Sequence, residues 1–196
     1  MNHNLEQQLK FLIEIDKMKN IQRQTLLADK SRRETDAEHS WHFALMAWIL
    51  FEYAGIDGID IDRVIKMALV HDLVEIYAGD TFAFDAAANE LKDDREQQAA
   101  SKLFSLLPEE QGLLLRSLWE EFDAMQTPDS IYAAAIDRLQ PFINNYLTDG
   151  HTWVLGNVTV EQVYKRIEPV KQALPALWGF VEKVILESCE KGYIRS

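Results

Sequence analysis

Three residues that can do chemistry stand in the apolar run Met67-Ala68-Leu69-Val70-His71-Asp72-Leu73-Val74-Glu75-Ile76. A carboxylate beside an imidazole in such surroundings has to be paired or bound to something, because burying either group alone is costly. If the run is one helix, then at about 100° per residue Glu75 lies about 40° round from His71 and Asp72 about 100°, so the three share a face. A core histidine with a carboxylate cap would produce the same dipeptide. Other positions bear on the choice: His39 follows Glu38, Asp80 opens the loop after the run, and Asp137 interrupts Tyr132-Ala133-Ala134-Ala135-Ile136-Asp137-Arg138-Leu139. Two imidazoles and two carboxylates drawn from three helices would make a mixed nitrogen and oxygen site suited to Mn, Fe, Co, Ni or Zn, with positions left for water. Open positions mean catalysis rather than a structural clamp. Asp137 viewed alone could equally be a cap or the salt-bridge partner of Arg138. Pro141 has no N–H and leaves the Asp137 carbonyl without its helical partner, so a kink that helps orient the ligand is expected there.

The elements that must position these residues read as helices. With 8 Gly, 5 Pro and few alternating β-branched runs, the chain has little material for hairpins. The first helix is expected from about Leu5 to Met18, with Leu5, Leu9, Leu12 and Ile13 along one face. A polar segment with Arg23, Lys30, Arg32 and Arg33 follows, and Thr35-Asp36-Ala37-Glu38 is a capping box that starts a second helix. That helix is apolar almost all round, hence expected to be buried, and Gly55 can end it in the left-handed conformation. The third is expected from Asp60 or Asp62 to about Tyr77, with Gly79 as its stop. The loop from Asp80 to Asp85 leads into a fourth that ends before Pro108. A fifth starts at Pro108-Glu109-Glu110 and carries Leu114, Leu115, Leu118 and Phe122, and a sixth follows Thr127-Pro128-Asp129. A second capping box at Thr159 opens a last third that Pro169 and Pro175 divide into shorter helices. The expected fold is all-α: a single-domain bundle of about six to eight helices over residues 1–196.

Composition limits the partners. Of 196 residues, 47% are hydrophobic and 27% charged, the balance of a soluble domain with a substantial core. Twenty Lys and Arg against 32 Asp and Glu give a net charge of −12, which repels nucleic-acid polymers and anionic membrane surfaces. A small phosphorylated substrate remains compatible, since a metal ion and one or two arginines can reverse the potential inside a cleft. Cys189 is the single cysteine, so no intrachain disulfide can form, as in a reducing compartment; with no basic, apolar leader at the amino terminus, the cytoplasm is the expected location. The apolar stretch Trp41 to Phe51 is about half the ~20 residues of a membrane span. Remaining candidates read as bland: His42 as core packing, His151, Arg32 and Arg33 as surface, the run Lys92 to Glu96 as a solvated helix face, and the tryptophans as core or dimer interface.

The segments Glu38-His39-Ser40 and Ala68 to Asp80, followed by Asp137, resemble the HD-domain metal-dependent phosphohydrolases, and within them the small 5′-deoxynucleotidases that act on nucleoside monophosphates. The likeness runs from about Leu9 to Tyr146, including Leu118 to Phe122, and its H…HDxxE…D…D pattern is specific. It implies an HD-type core over 9–146 with a C-terminal helical extension over 159–191. One divalent ion (Co, Mn, Ni, Fe, Zn or Mg) would sit on His39, His71, Asp72 and Asp137. Glu75 would position or deprotonate the attacking water, Asp80 would assist at the leaving oxygen or support the site, and Arg23 would lie over the phosphate or sugar. Arg23 by itself could equally be a solvated surface residue. The implied reaction releases phosphate from a (deoxy)nucleoside 5′-monophosphate by attack of metal-bound water, whose pKa the ion pulls from ~15.7 toward neutrality. Bacterial deoxynucleotidases place a tryptophan after the arginine to crowd a 2′-hydroxyl, whereas this chain has Gln24. A homodimer is also implied. Another phosphorylated metabolite, a nucleotide polyphosphate, or a non-catalytic metal-binding module are the alternatives, and Glu75 speaks against the last.

Overall fold

A computed structural model describes residues 2–84 and 92–195. The architecture is an all-α bundle with one small hairpin at its edge: α1 (His3–Ile15), β1 (Gln22–Leu26), β2 (Arg33–Thr35), α2 (Asp36–Leu50), α3 (Ile61–Val70), α4 (Glu75–Ala78), α5 (Lys92–Phe104), α6 (Glu109–Ala124), α7 (Pro128–Leu147), α8 (His151–Leu155), α9 (Val160–Ala173) and α10 (Trp178–Glu190). Among the described residues no helix is long and apolar enough to cross a membrane. The expected loop residue Asp85 and the start of the fourth expected helix lie outside the described residues.

Helix α7 is the axis of the molecule. Tyr132, Ala133, Ala134, Ala135, Ile136, Leu139 and Phe142 are all buried, and the helix packs against α2, α3, α6 and α9. Small side chains at 133 to 135 let neighbours approach closely, while Tyr132 reaches across to donate its hydroxyl proton to the Ala47 carbonyl at 2.8 Å. A second apolar cluster, with Phe11, Leu73, Val74, Leu103, Phe104 and Trp119, joins α1, the α3–α4 turn, α5 and α6. Capping boxes at Thr35, Thr127 and Thr159 start α2, α7 and α9, so the axis and two of the helices that flank it have a defined first turn.

Several expectations need correction. The polar segment after α1 is not a plain turn: β1 and β2 pair antiparallel, Gln22 opposite Thr35 and Leu26 opposite Arg33, with an irregularity in between. Only pairing between distant residues makes these strands. Helix α2 is not buried all round, because Trp41, Trp48 and Ile49 are each about two-thirds exposed. The face Leu5, Leu9, Leu12 and Ile13 of α1 is likewise exposed, and Phe11 is the residue it buries. Leu114 on α6 points outward too. Gly55 is absent from the positive-φ glycines; a Cβ there would meet Pro175 Cδ at 2.6 Å, so the glycine serves a close approach instead. Gly79 does take φ 78° and stops α4. Pro169 lies inside α9, and it is Pro175 that opens a separate 3₁₀ turn. Helix α7 continues through Pro141, so any distortion there does not interrupt it.

The third expected helix is also shorter. Helix α3 ends at Val70, and the next residues form tight turns: Leu73 N–H bonds the Val70 carbonyl at 3.1 Å and Glu75 N–H the Asp72 carbonyl at 3.0 Å. Turns closed over three residues advance about 120° per residue, which aligns side chains three apart. Asp72 and Glu75 therefore stand in register through a local tightening rather than on a continuous α-helix.

Candidate metal centre and active site

His39 projects from the second turn of α2, His71 and Asp72 from the tight turn after α3, and Asp137 from the middle of α7. The structure brings these four together. His39 Nε2 lies 3.0 Å from Asp137 Oδ1 and 4.0 Å from Asp72 Oδ2, while His71 Nε2 lies 3.1 Å from Asp72 Oδ2 and 3.6 Å from Asp137 Oδ1. His39, His71 and Asp72 offer ligand atoms within 4.8 Å of one another. His71 is held between the rings of Phe43 and Phe122, with centroids 5.2 and 4.9 Å away.

Hydrogen bonds fix which ring nitrogens carry protons. His71 Nδ1 lies 2.9 Å from the Ala68 carbonyl, an acceptor, and so must donate. Gln140 Nε2 donates to Glu34 Oε1 at 2.6 Å, which turns its amide oxygen to His39 Nδ1 at 2.9 Å and makes that nitrogen a donor as well. Both Nε2 atoms are left with lone pairs that face carboxylate oxygens. His71 Nε2 has no hydrogen-bond partner at all. Lone pairs facing carboxylates repel unless a cation stands between them, and two imidazoles with two carboxylates are the donor set of a borderline divalent ion. The described residues thus fit a single divalent metal site.

Without the ion a proton takes its place. Burial works against a charge on His71, but Asp72 and Asp137 outweigh it and push its pKa up to about 10. Burial, then Arg23, holds His39 below the usual range. Against the effect of burial, His71 and Arg23 hold Asp72 low, and the hydrogen bond with His39 and the nearby charge of His71 hold Asp137 low.

Behind these residues runs a chain of supports that sequence reading missed. From His39 it passes through Gln140 and Glu34 to Arg23, whose Nε is 3.9 Å from Glu34 Oε2 and whose Nη1 donates to Asp72 Oδ2 at 2.6 Å. Arg23 is not a solvated surface residue: it sits on β1, half-buried, also 3.5 Å from Asp36 Oδ1. Burial opposes its charge, and Asp72, Glu75 and Asp137 outweigh burial and keep it protonated. Gln140 had one legible signal, its place one turn beyond Asp137 in an otherwise apolar helix.

Glu75 and Asp80 meet Asp36 in a second cluster whose carboxylate oxygens lie within 4.8 Å of one another. Asp36, in the first turn of α2, is fully buried, and neither of its oxygens has a hydrogen bond. Burial, then Asp72 and Asp36, raises the Glu75 pKa well above the carboxylate range. Burial, then Asp72, pushes Asp36 up to about 7, and burial raises Asp80 against the pull of Arg23.

A cavity of about 230 Å³ opens onto both clusters; Arg23, Gln24, Lys92, Phe122, Arg138 and Arg166 share its wall. Lys92 corrects an expectation, since it turns inward and pairs with the buried Glu96 at 3.4 Å rather than lying on a solvated face. The partner of Asp137 outside the site is Arg166, at 3.5 Å from Oδ2, and not Arg138. His42 is half-buried against Gln140, with Nδ1 3.3 Å from Nε2, while Arg32 is exposed and pairs with Glu38 at 2.8 Å.

Comparison with known proteins adds a family and a fold. A family profile described as HD domain matches residues 15–178. The crystal structure of a protein described as a predicted metal-dependent phosphohydrolase, from Magnetospirillum magnetotacticum MS-1, is 44% identical and superposes with a TM-score of 0.92 over 98% of this chain and 96% of that one. A conserved hypothetical protein from Pyrococcus furiosus shares the fold at 19% identity and a TM-score of 0.61, over 93% of this chain and 99% of that one. The human 5′-deoxynucleotidase HDDC2 is 28% identical over 139 residues, 70% of this chain and 66% of that protein. The Dictyostelium discoideum protein of the same name is 32% identical over 117 residues, 58% of this chain and 62% of that one. The match thus spans just under two thirds of the length of these curated relatives.

Proposed function

This chain belongs to the HD-domain family and is a metal-dependent phosphohydrolase, and from that premise we propose that it removes phosphate from (deoxy)nucleoside 5′-monophosphates. The observation that carries the reading is the convergence of the two histidine Nε2 atoms on Asp72 and Asp137, with the buried carboxyl of Glu75 beside them. His39, His71, Asp72 and Asp137 would hold the ion. A divalent ion held there lowers the pKa of water and neutralises phosphoryl oxygens. Glu75 takes the proton from the attacking water: its raised pKa suits a group that gains a proton in the transition state. Asp80, across the cluster from Glu75, serves the leaving oxygen, and Arg23, anchored on Asp72, is left to face the sugar. Gln24 on the cavity wall supplies an amide in place of a bulky ring, so ribose as well as deoxyribose is accommodated. The names of the curated relatives support the nucleotide class.

The exposed Trp41, Trp48 and Ile49 of α2 are the face we propose for a homodimer; sedimentation at micromolar concentration should give twice the chain mass of 22.6 kDa, and a monomer would reject it. The lone free thiol, Cys189, suits residence in the cytoplasm.

The test is inorganic phosphate release from ribo- and deoxyribonucleoside 5′-monophosphates by chelated protein reloaded separately with Co, Mn, Ni, Mg and Zn. Metal-dependent release, with a deoxy to ribo ratio near unity, is expected. No release from any monophosphate by protein that demonstrably holds metal would reject the substrate class.

A further inference from the structure

Two guanidinium groups on the cavity wall have no role in the chemistry described so far. Arg138, on α7, is the neighbour of Asp137 and Arg166 reaches in from α9; both line the cavity that holds His71, Asp72, Glu75 and Asp80. Arg138 is poorly satisfied. Its Nε is buried without a hydrogen-bond partner, its Nη2 meets the thioether of Met125 at 3.0 Å, and among the described residues no carboxylate lies within ion-pair distance of it. Thioether sulfur is a weak acceptor, so three donors' worth of a charged fork is spent on almost nothing. Arg166 makes one ion pair among the described residues, at 3.5 Å to Asp137 Oδ2, on the far oxygen of a carboxylate whose near oxygen faces both histidines.

Two cations on the wall of one cavity are stable together when an anion bridges them. Arg23 cannot fill this part, since its Nη1 is committed to Asp72. We propose that Arg138 and Arg166 form the anion clamp of the site: their N–H groups grip the non-bridging oxygens of the substrate's phosphoryl group and of the phosphate product. A dianionic tetrahedral group suits them, because each planar fork can give two parallel hydrogen bonds to one phosphate edge. Position follows from Asp137. One carboxylate turns one oxygen to the imidazole pair and the other to Arg166, so the guanidinium stands one carboxylate's width from the residues that would hold the ion. Arg138 then closes the same end from α7. The inference rests on the phosphohydrolase reading and adds to it the groups that recognise the anion.

Titration calorimetry with inorganic phosphate on the metal-loaded protein tests it. Arg166→Ala and Arg138→Lys should each weaken phosphate binding by about tenfold to a hundredfold, the loss of one or two charge-assisted hydrogen bonds, with metal content by elemental analysis and helical circular dichroism unchanged. Arg116→Ala, which removes a charge paired with Glu120 on α6 outside the cavity, should bind as the wild type does. Arg166 is more than a third exposed, so its variant tests the clamp even if changes at the more buried Arg138 disturb folding. Phosphate affinity unchanged in both clamp variants, with the wild type binding phosphate and turning over, overturns the clamp and leaves the hydrolase standing. A metal-loaded wild type that neither binds phosphate nor releases it from any monophosphate overturns the hydrolase reading and the clamp with it.

Discussion

At the scale of single residues, the separation of roles between Glu75 and the four converging side chains makes a sharp expectation. Glu75 sits in the carboxylate cluster with Asp36 and Asp80, beside and not among the His39, His71 and Asp72 atoms. Glu75→Ala should keep its metal and lose about 10²- to 10⁴-fold in phosphate release, the usual contribution of a general base; elemental analysis and turnover on one sample check both halves, and unchanged turnover removes Glu75 from the mechanism. Gln140 makes a different expectation, because it touches neither cavity nor substrate but fixes the His39 tautomer through Glu34. Gln140→Leu should weaken metal affinity by about 10- to 100-fold, as loss of an outer partner does, readable by competition with a chelator, while an unchanged affinity would show that α2 alone holds the ring. His71, Asp72 and Asp137 were legible because each interrupts an apolar run, where chance rarely leaves an imidazole or a carboxylate, while His39, between Glu38 and Ser40, was legible through the likeness of its segment to the family pattern. Glu34, Asp36 and Gln140 were not. A polar residue in a capping box or a polar strand looks the same whether it faces water or the site, and Asp36 reads as a helix-starting acid until the fold buries it.

At the scale of elements, the site depends on where helices begin and end. Thr35 starts α2 with a reciprocal capping box, its hydroxyl accepting from Glu38 N–H while Glu38 Oε2 accepts from Thr35 N–H at 3.0 Å. His39 follows one residue later, so the cap also sets the height at which its ring enters the site. Thr35→Ala should cost about 1 kcal/mol, a fall of about 2–4 °C in midpoint for a chain of this size, seen by thermal unfolding monitored at 222 nm; the same midpoint as wild type would mean that packing against α7 alone fixes α2. Both capping boxes and the helix start at Thr127 were legible, since each is a local pattern of two or three side chains. The end of α3 was not: His71-Asp72-Leu73-Val74 has nothing against a helix in its own residue types, and the tight turns there answer to what packs on them. The β1–β2 hairpin was hidden for the same reason, its pairing being set by residues thirteen apart, Gln22 and Thr35. Surface faces misled in the other direction, for the apolar stripe of α1 has helical period but is half or more exposed at Leu12 and Ile13.

For the whole molecule, the concentration of carboxylates around one cavity, in a chain of net charge −12, ties stability to pH and to the ion together. In the metal-free protein Glu34 is raised to about 7, by burial against the pull of Arg23, and Asp36 to about 7. Glu75 and Asp80 are raised as well. A carboxyl with a raised folded pKa binds more protons folded than unfolded, so its contribution is complete below the unfolded value and is lost as pH climbs through the folded one. His71, raised to about 10, adds a further loss above its unfolded range. His39 and His42, both lowered by burial, act in the opposite sense near pH 6.5, and the lowered Asp72 and Asp137 matter in strong acid. The larger set wins, and the chelated protein should melt at a lower temperature at pH 8.5 than at pH 5.5. A divalent ion reverses the logic. It needs His39 and His71 neutral and the carboxylates ionised, so it binds more tightly as pH rises, and by binding the folded state alone it stabilises in proportion to the logarithm of that affinity. The gap in melting temperature between loaded and chelated protein should therefore widen from pH 5.5 to pH 8.5. Scanning calorimetry at fixed ionic strength checks it, and a gap that is constant or narrows over that range would mean that the ion is not competing with protons for these side chains.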